Sequence, residues 1–262
     1  MTPNVATADT SEEIEALMDR YQQVRTTCNE FINELLDEFE AFVSKTYVSI
    51  NLAIETLHRV IVKNEPYKNY HELREMGINQ FDLTREQIDV RLFGNDAKNI
   101  RYGALCAESP GLRCYGECCM VIDGATLQNC ASLFEENTFA FFEARPGVLD
   151  EVPCDIPLGY RATWENRGKL AVAKLGHHFA TETPTDDFNE ILIRSTTEKM
   201  TDDFIEVHIC QPIDKNNVVE MRLPKNLPRG DENDKEYQRE LRKSRKMLSK
   251  LKEIGKSWIL YD

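Results

Sequence analysis

The sequence predicts an α+β chain, and three observations carry that reading. Near the N-terminus apolar residues recur at steps of three and four. Across 100–213 the pattern changes to short runs with a period of two. Near the C-terminus it returns to a helical pattern with a strong basic bias. The expected organisation is a long N-terminal helix or helical hairpin, then a central, mainly antiparallel β-region, then a C-terminal basic helix. The corresponding segments are 1–98, 99–228 and 229–262. At 262 residues the chain is long enough to bury a substantial core.

Residues 1–9 read as disordered. Thr10 and Glu13 have the spacing of a capping box, with Ser11 as an alternative cap. Ile14, Leu17/Met18, Tyr21, Val24, Cys28, Phe31/Ile32, Leu35/Leu36, Phe39 and Phe42 then form one continuous apolar face. The pattern continues through Val48, Leu52, Leu57 and Val60/Ile61, with a break possible at the β-branched stretch 46–50. Pro66 ends it. From Ile14 to Phe42 the face would run roughly 40 Å at the helical rise. That predicts a covering partner, so self-association or a protein partner is expected through 11–64.

Two short helices are expected over 70–76 and 84–93, stopped by Gly77 and Gly94, the second capped by Thr84 with Gln87. Strands are expected at 100–106, 115–122, 130–142, 170–174, 190–194 and 204–210. In the last of these, Phe204, Glu206 and His208 share one face while Ile205, Val207 and Ile209 share the other. The C-terminal segment opens at Asp231–Asp234 and is expected to be helical through Trp258, docking through Leu241, Met247/Leu248 and Leu251. Between 235 and 256 it carries nine basic and three acidic residues. Taking that +6 from the total of −13 leaves −19 on the remainder.

A net charge of −13 argues against the chain as a whole wrapping nucleic acid. A basic patch marks such a surface only where it stays exposed. No run of 18 apolar residues predicts a membrane span, and the first residues lack the basic and apolar regions of a signal peptide. A cytoplasmic location is expected, with the eight cysteines as reduced thiols. Cys106, Cys114, Cys118 and Cys119 fall within 14 residues, but Cys114 and Cys118 form one hook without a second. Cys118 and Cys119 are adjacent, so in a strand they face opposite ways. No metal is expected.

The stretch 99–145 carries the clearest motifs: Tyr102-Gly103-Ala104-Leu105, then Tyr115-Gly116 with its strand, then Cys130-Ala131-Ser132-Leu133-Phe134. With Phe204–Cys210 (FIEVHIC) they resemble a bacterial family of ADP-ribosyltransferase-like domains over about 91–213. Cys130 stands where that family has Arg. Its Ser-Thr-Ser is reduced to Ser132, or to Ser195-Thr196-Thr197, and its acidic pair to Glu206-Val207-His208.

The resemblance implies NAD as a substrate and a cytoplasmic effector, a toxin or defence protein. Loss of nicotinamide creates an oxocarbenium-like centre that needs a nearby carboxylate, for which Glu206 is the candidate. His208 is placed to tune Glu206 or orient the acceptor, and Ser132 completes the expected catalytic set. Arg101 is the expected cation for the diphosphate. Tyr102 or Tyr115 is expected to stack on nicotinamide beside Gly103. The competing expectations are a non-enzymatic interaction protein assembling through the N-terminal helices, and a thiol or zinc protein built on the 106–130 cysteines.

Overall fold

The fold is built on one mixed sheet of eight strands. A computed structural model describes residues 8–145, 156–196, 201–225, 235–253 and 255–261. The strands are β1 (Tyr47–Leu52), β2 (Arg101–Cys106), β3 (Cys118–Ile122), β4 (Ala131–Phe134), β5 (Arg161–Thr163), β6 (Glu206–Ile209), β7 (Val218–Pro224) and β8 (Ser257–Tyr261). Their order is β5-β4-β6-β2-β1-β3-β7-β8, antiparallel throughout except for the parallel β7–β8 pair. The helices are α1 (Ser11–Thr27), α2 (Glu30–Val43), α3 (Ile54–Ile61), α4 (Tyr70–Glu75), α5 (Leu83–Phe93), α6 (Thr138–Glu143), α7 (Arg167–Leu175), α8 (Phe188–Leu192) and α9 (Lys235–Glu253). The class is α+β, as the periods predict.

The N-terminal region is not one helix. Thr10 caps α1 by accepting from the Glu13 amide, but the Glu13 side chain accepts from the Gly159 amide instead of closing a capping box. The helix stops at Cys28, and Asn29 caps α2. The two helices run back along each other, Tyr21 donating to Glu40 and Arg25 to Asp37. The apolar face expected to seek a partner is covered inside the chain: Leu17, Leu36, Phe39 and Val43 are buried in the core shared with α7 and the sheet. Only Ile14 and Phe31 of that face stand among the exposed large apolar residues described.

β1 corrects the helical reading of 46–52. Tyr47, Ser49 and Asn51 alternate with Val48, Ile50 and Leu52, and the latter three are buried in the main core. Val48 and Leu52 are also four apart, so both periods fit. Pairing with β2 and β3 decides for the strand. Segments 1–98 and 99–228 therefore share one sheet.

Other expectations shift. The 130–142 segment is a strand only to Phe134. Asn137 then accepts from the Phe139 and Ala140 amides and starts α6. Segment 170–174 lies in α7, and of 190–194 the first three residues end α8 while Arg194 forms an isolated antiparallel bridge with Asp203. α5 is capped by Asp82, which accepts from the Arg85 amide, not by Thr84. Gly77 and Gly94 do end their helices, with φ of +70° and +55°. The basic helix ends before Trp258: Gly255 has φ +66°, and Trp258 lies in β8. Met247 is buried in the main core. Positions 1–7, Asp231–Asp234, Thr197 and the side chains of Leu241, Leu248 and Leu251 lie outside what is described.

One sheet face carries the main core with α1, α2, α3, α7 and α9. The opposite face is covered at one end by α5 and α6, through Ile88, Leu92, Phe93, Phe134, Phe141 and Phe142. Beside that cover a smaller buried cluster of Ala104, Cys106, Leu112, Ile193 and Phe204 packs on the same face.

Candidate active site

A cavity of about 510 Å³ opens on this second face, floored by β1, β2 and β6 and walled by α5, the 112–115 loop and the start of α6. Arg101, Tyr102, Gly103, Tyr115 and Glu206 all border it. Its volume falls in the range of small-molecule sites.

Glu206 lies opposite Ala104 and Phe134 in the sheet. Its Oε1 accepts from Thr138 Oγ1 at 2.6 Å and contacts His208 Nε2 at 2.8 Å. Among the described residues no hydrogen bond reaches Oε2. The carboxylate is thus fixed through one oxygen and leaves the other for a ligand. Thr138 is positioned by the Asn137 cap, since it is the first residue of α6.

His208 shares the Glu206 face, as alternation predicts, but is not presented. It is fully buried, edge-on to Phe93 and Tyr102 and beside Phe134. Ser132, the cross-strand partner of His208, is buried as well. Neither residue borders the cavity. Of the expected catalytic set, Glu206 borders the cavity, His208 contacts Glu206 from behind it, and Ser132 does not border it.

Arg101 borders the cavity, but its guanidinium is engaged. It donates to the carbonyls of Tyr67 (3.2 Å) and Asn99 (2.9 Å) and to Glu72 Oε2 (2.8 Å). Glu72 also closes the capping box of α4 with Asn69. Arg101 thus ties α4 to the sheet, which accounts for it without a diphosphate. Gly103 is required by packing: a Cβ there would meet Val48 Cγ1 at 2.4 Å and the Ser49 carbonyl at 3.0 Å.

A second cation at the cavity is Arg85, from α5. Its Cζ lies 3.8 Å from the centre of the Tyr102 ring, and its Nε is 3.1 Å from Asp89 Oδ1. Its terminal nitrogens make no hydrogen bond among the described residues. Burial opposes its charge, but Tyr102, Asp89 and Glu206 together outweigh burial and raise its pKa. Asp89, itself buried, is the hub: Tyr102 OH donates to it at 2.5 Å and His71 Nε2 lies 2.8 Å away. Burial holds the Tyr102 hydroxyl well above its ordinary pKa, with Arg85 pulling it back and Asp89 adding to the rise. Tyr102 stays a neutral donor.

Tyr115 is the more open ring, 39% exposed, with its OH accepting from Asn137 Nδ2 at 2.9 Å. Burial, then Glu206, raises its pKa. Asn51 anchors this loop by donating to the Pro110 and Gly116 carbonyls and accepting from the Leu112 amide.

Among the described residues no group of three His, Cys, Asp or Glu side chains could hold a metal ion. Nor is any described helix long and apolar enough to cross a membrane. Sequence reasoning missed Arg85, Asp89, Asn137 and Thr138. An i,i+4 pair reads as a surface ion pair, and Asn-Thr before an aromatic run is a capping signal. No family model matches the chain, and no curated protein is significantly similar to it.

Proposed function

We propose that this chain transfers ADP-ribose from NAD, in the manner of the ADP-ribosyltransferase-like domains that its 91–213 segment resembles. The observation that carries the reading is convergence. Tyr102, Tyr115 and Glu206, far apart in sequence, border one cavity that also holds a cation. In this reading Glu206 Oε2 faces the nicotinamide ribose. As the bond from ribose C1′ to the nicotinamide nitrogen breaks, the carboxylate stabilises the positive charge left on the sugar. His208 and Thr138 hold Oε1 and so orient the carboxylate; both are positioning residues. Tyr115 offers the open ring for nicotinamide, because Arg85 covers a face of Tyr102. The N–H groups of Arg85 take the diphosphate, the role first given to Arg101. The reaction belongs to the cytoplasm, with NAD as substrate and no metal.

The test is incubation of the full chain and a cell lysate with NAD labelled in its adenylate half. Label transferred to a lysate protein or to the chain itself supports the proposal. Recovery of all the NAD intact, with no label on protein, refutes it.

A further inference from the structure

A second concave surface lies on the other side of the sheet, where α9 packs against α3. The groove is about 480 Å³ and is bordered by His58, Gln238 and five cations of α9. Four of these, Lys235, Arg239, Arg242 and Lys246, are spaced by four, three and four residues, which places them in one stripe about 16 Å long. All four are exposed, and among the described residues none makes an ion pair. The fifth, Lys243, is paired with Glu55 across the groove.

The neighbouring imidazole reports the same field. His58 is held below its ordinary pKa, first by burial and then by Lys63, Lys243 and Lys246. Locally the surface is strongly positive, although the whole chain carries −13. At about 0.1 M salt, charges beyond about 10 Å are largely screened, so a ligand seated in the groove meets this stripe rather than the chain average.

We propose that this groove binds the phosphate backbone of a polynucleotide. The lining decides between that and an acidic protein. Every described residue bordering the groove is polar or charged. A protein interface needs buried apolar or aromatic anchors at its centre. A phosphate backbone needs only regularly placed cations, and it is read without base contacts.

The test uses the full chain and a fluorescein-labelled 20-nucleotide oligothymidine, followed by fluorescence anisotropy. Four phosphate contacts predict a slope of about −3 for log affinity against log salt, or roughly fifty-fold weaker binding from 50 to 200 mM. The double variant R239E/R242E should lose at least tenfold at 50 mM salt. Its thermal midpoint should be unchanged, because both side chains are exposed and unpaired. No anisotropy change at 50 mM salt with about 100 μM protein overturns the proposal. So does binding that R239E/R242E leaves intact. Salt-reversible self-association abolished by the same variant also overturns it, by assigning the groove to an acidic surface of a second copy. Nicotinamide release from NAD is read separately and does not enter this outcome.

Discussion

Arg85 shows how one residue both supports the fold and borders the cavity. Its Nε neutralises the buried Asp89, while its guanidinium lies on the Tyr102 ring beside the cavity. Lysine at this position keeps the charge but loses the planar fork that grips a diphosphate. We expect Arg85→Lys to weaken NAD binding about tenfold while nicotinamide release at saturating NAD changes only a few-fold. Calorimetric titration and steady-state rates separate the two effects. A saturated rate that collapses with unchanged affinity would remove Arg85 from binding. The local spacing of Arg85 and Asp89 was legible in the sequence; the burial of Asp89 was not. It depends on Tyr102 arriving from β2, which no pattern within α5 reveals. Arg101 is the converse case. A cation at a strand start was legible, but its hydrogen bonds to Tyr67 and Glu72 come from distant packing.

At the scale of elements, β2, β3 and β6 lie within the segments the sequence predicts, β6 from its alternation and β3 as a short apolar run buried along its whole length. β1 was not legible, because a strand four residues longer than its first apolar site also satisfies helical spacing. Only pairing with β2 and β3 separates the two. Segment 170–174, now in α7, failed for another reason: Leu170-Ala171-Val172-Ala173 is buried on every side and shows no period at all. The β1–β3 junction yields a sharp prediction. A Cβ at Gly116 would stand 2.3 Å from the Leu52 carbonyl carbon, so backbone itself must move. Gly116→Ala is expected to cost about 3 kcal/mol in urea denaturation. Tyr115, held next to it, should carry the loss into NAD binding. A variant as stable as the parent would show that β1 and the 110–116 loop do not meet as described.

At the scale of the molecule, the sheet is covered on both faces, and the cavity is the part of the second face that α5 and α6 leave open. Covering the first face absorbs the apolar stripe of α1 and α2, so the sequence argument for a partner through 11–64 loses its physical basis. The length of that stripe was legible; the folding back at Cys28–Asn29 that shortens it was not. The same burial sets a pH dependence. His58 and His178 are both held below their ordinary pKa of 6.5, chiefly by burial. The unfolded chain then takes up protons first as pH falls. Their contribution to stability is complete above about 6.5 and is lost as pH drops through their folded values. Thermal midpoints should therefore fall from pH 7 to 5.5, and His58→Gln should flatten that slope; a slope unchanged by the substitution would contradict the assignment. The central claim, that the cavity breaks the nicotinamide–ribose bond with Glu206, has its most direct test in nicotinamide release from NAD by the parent chain and Glu206→Gln. We expect measurable release by the parent. The variant should lose at least a hundredfold in kcat, with NAD affinity changed only a few-fold and the fold intact. Equal release by both proteins, or none by the parent, would contradict the account.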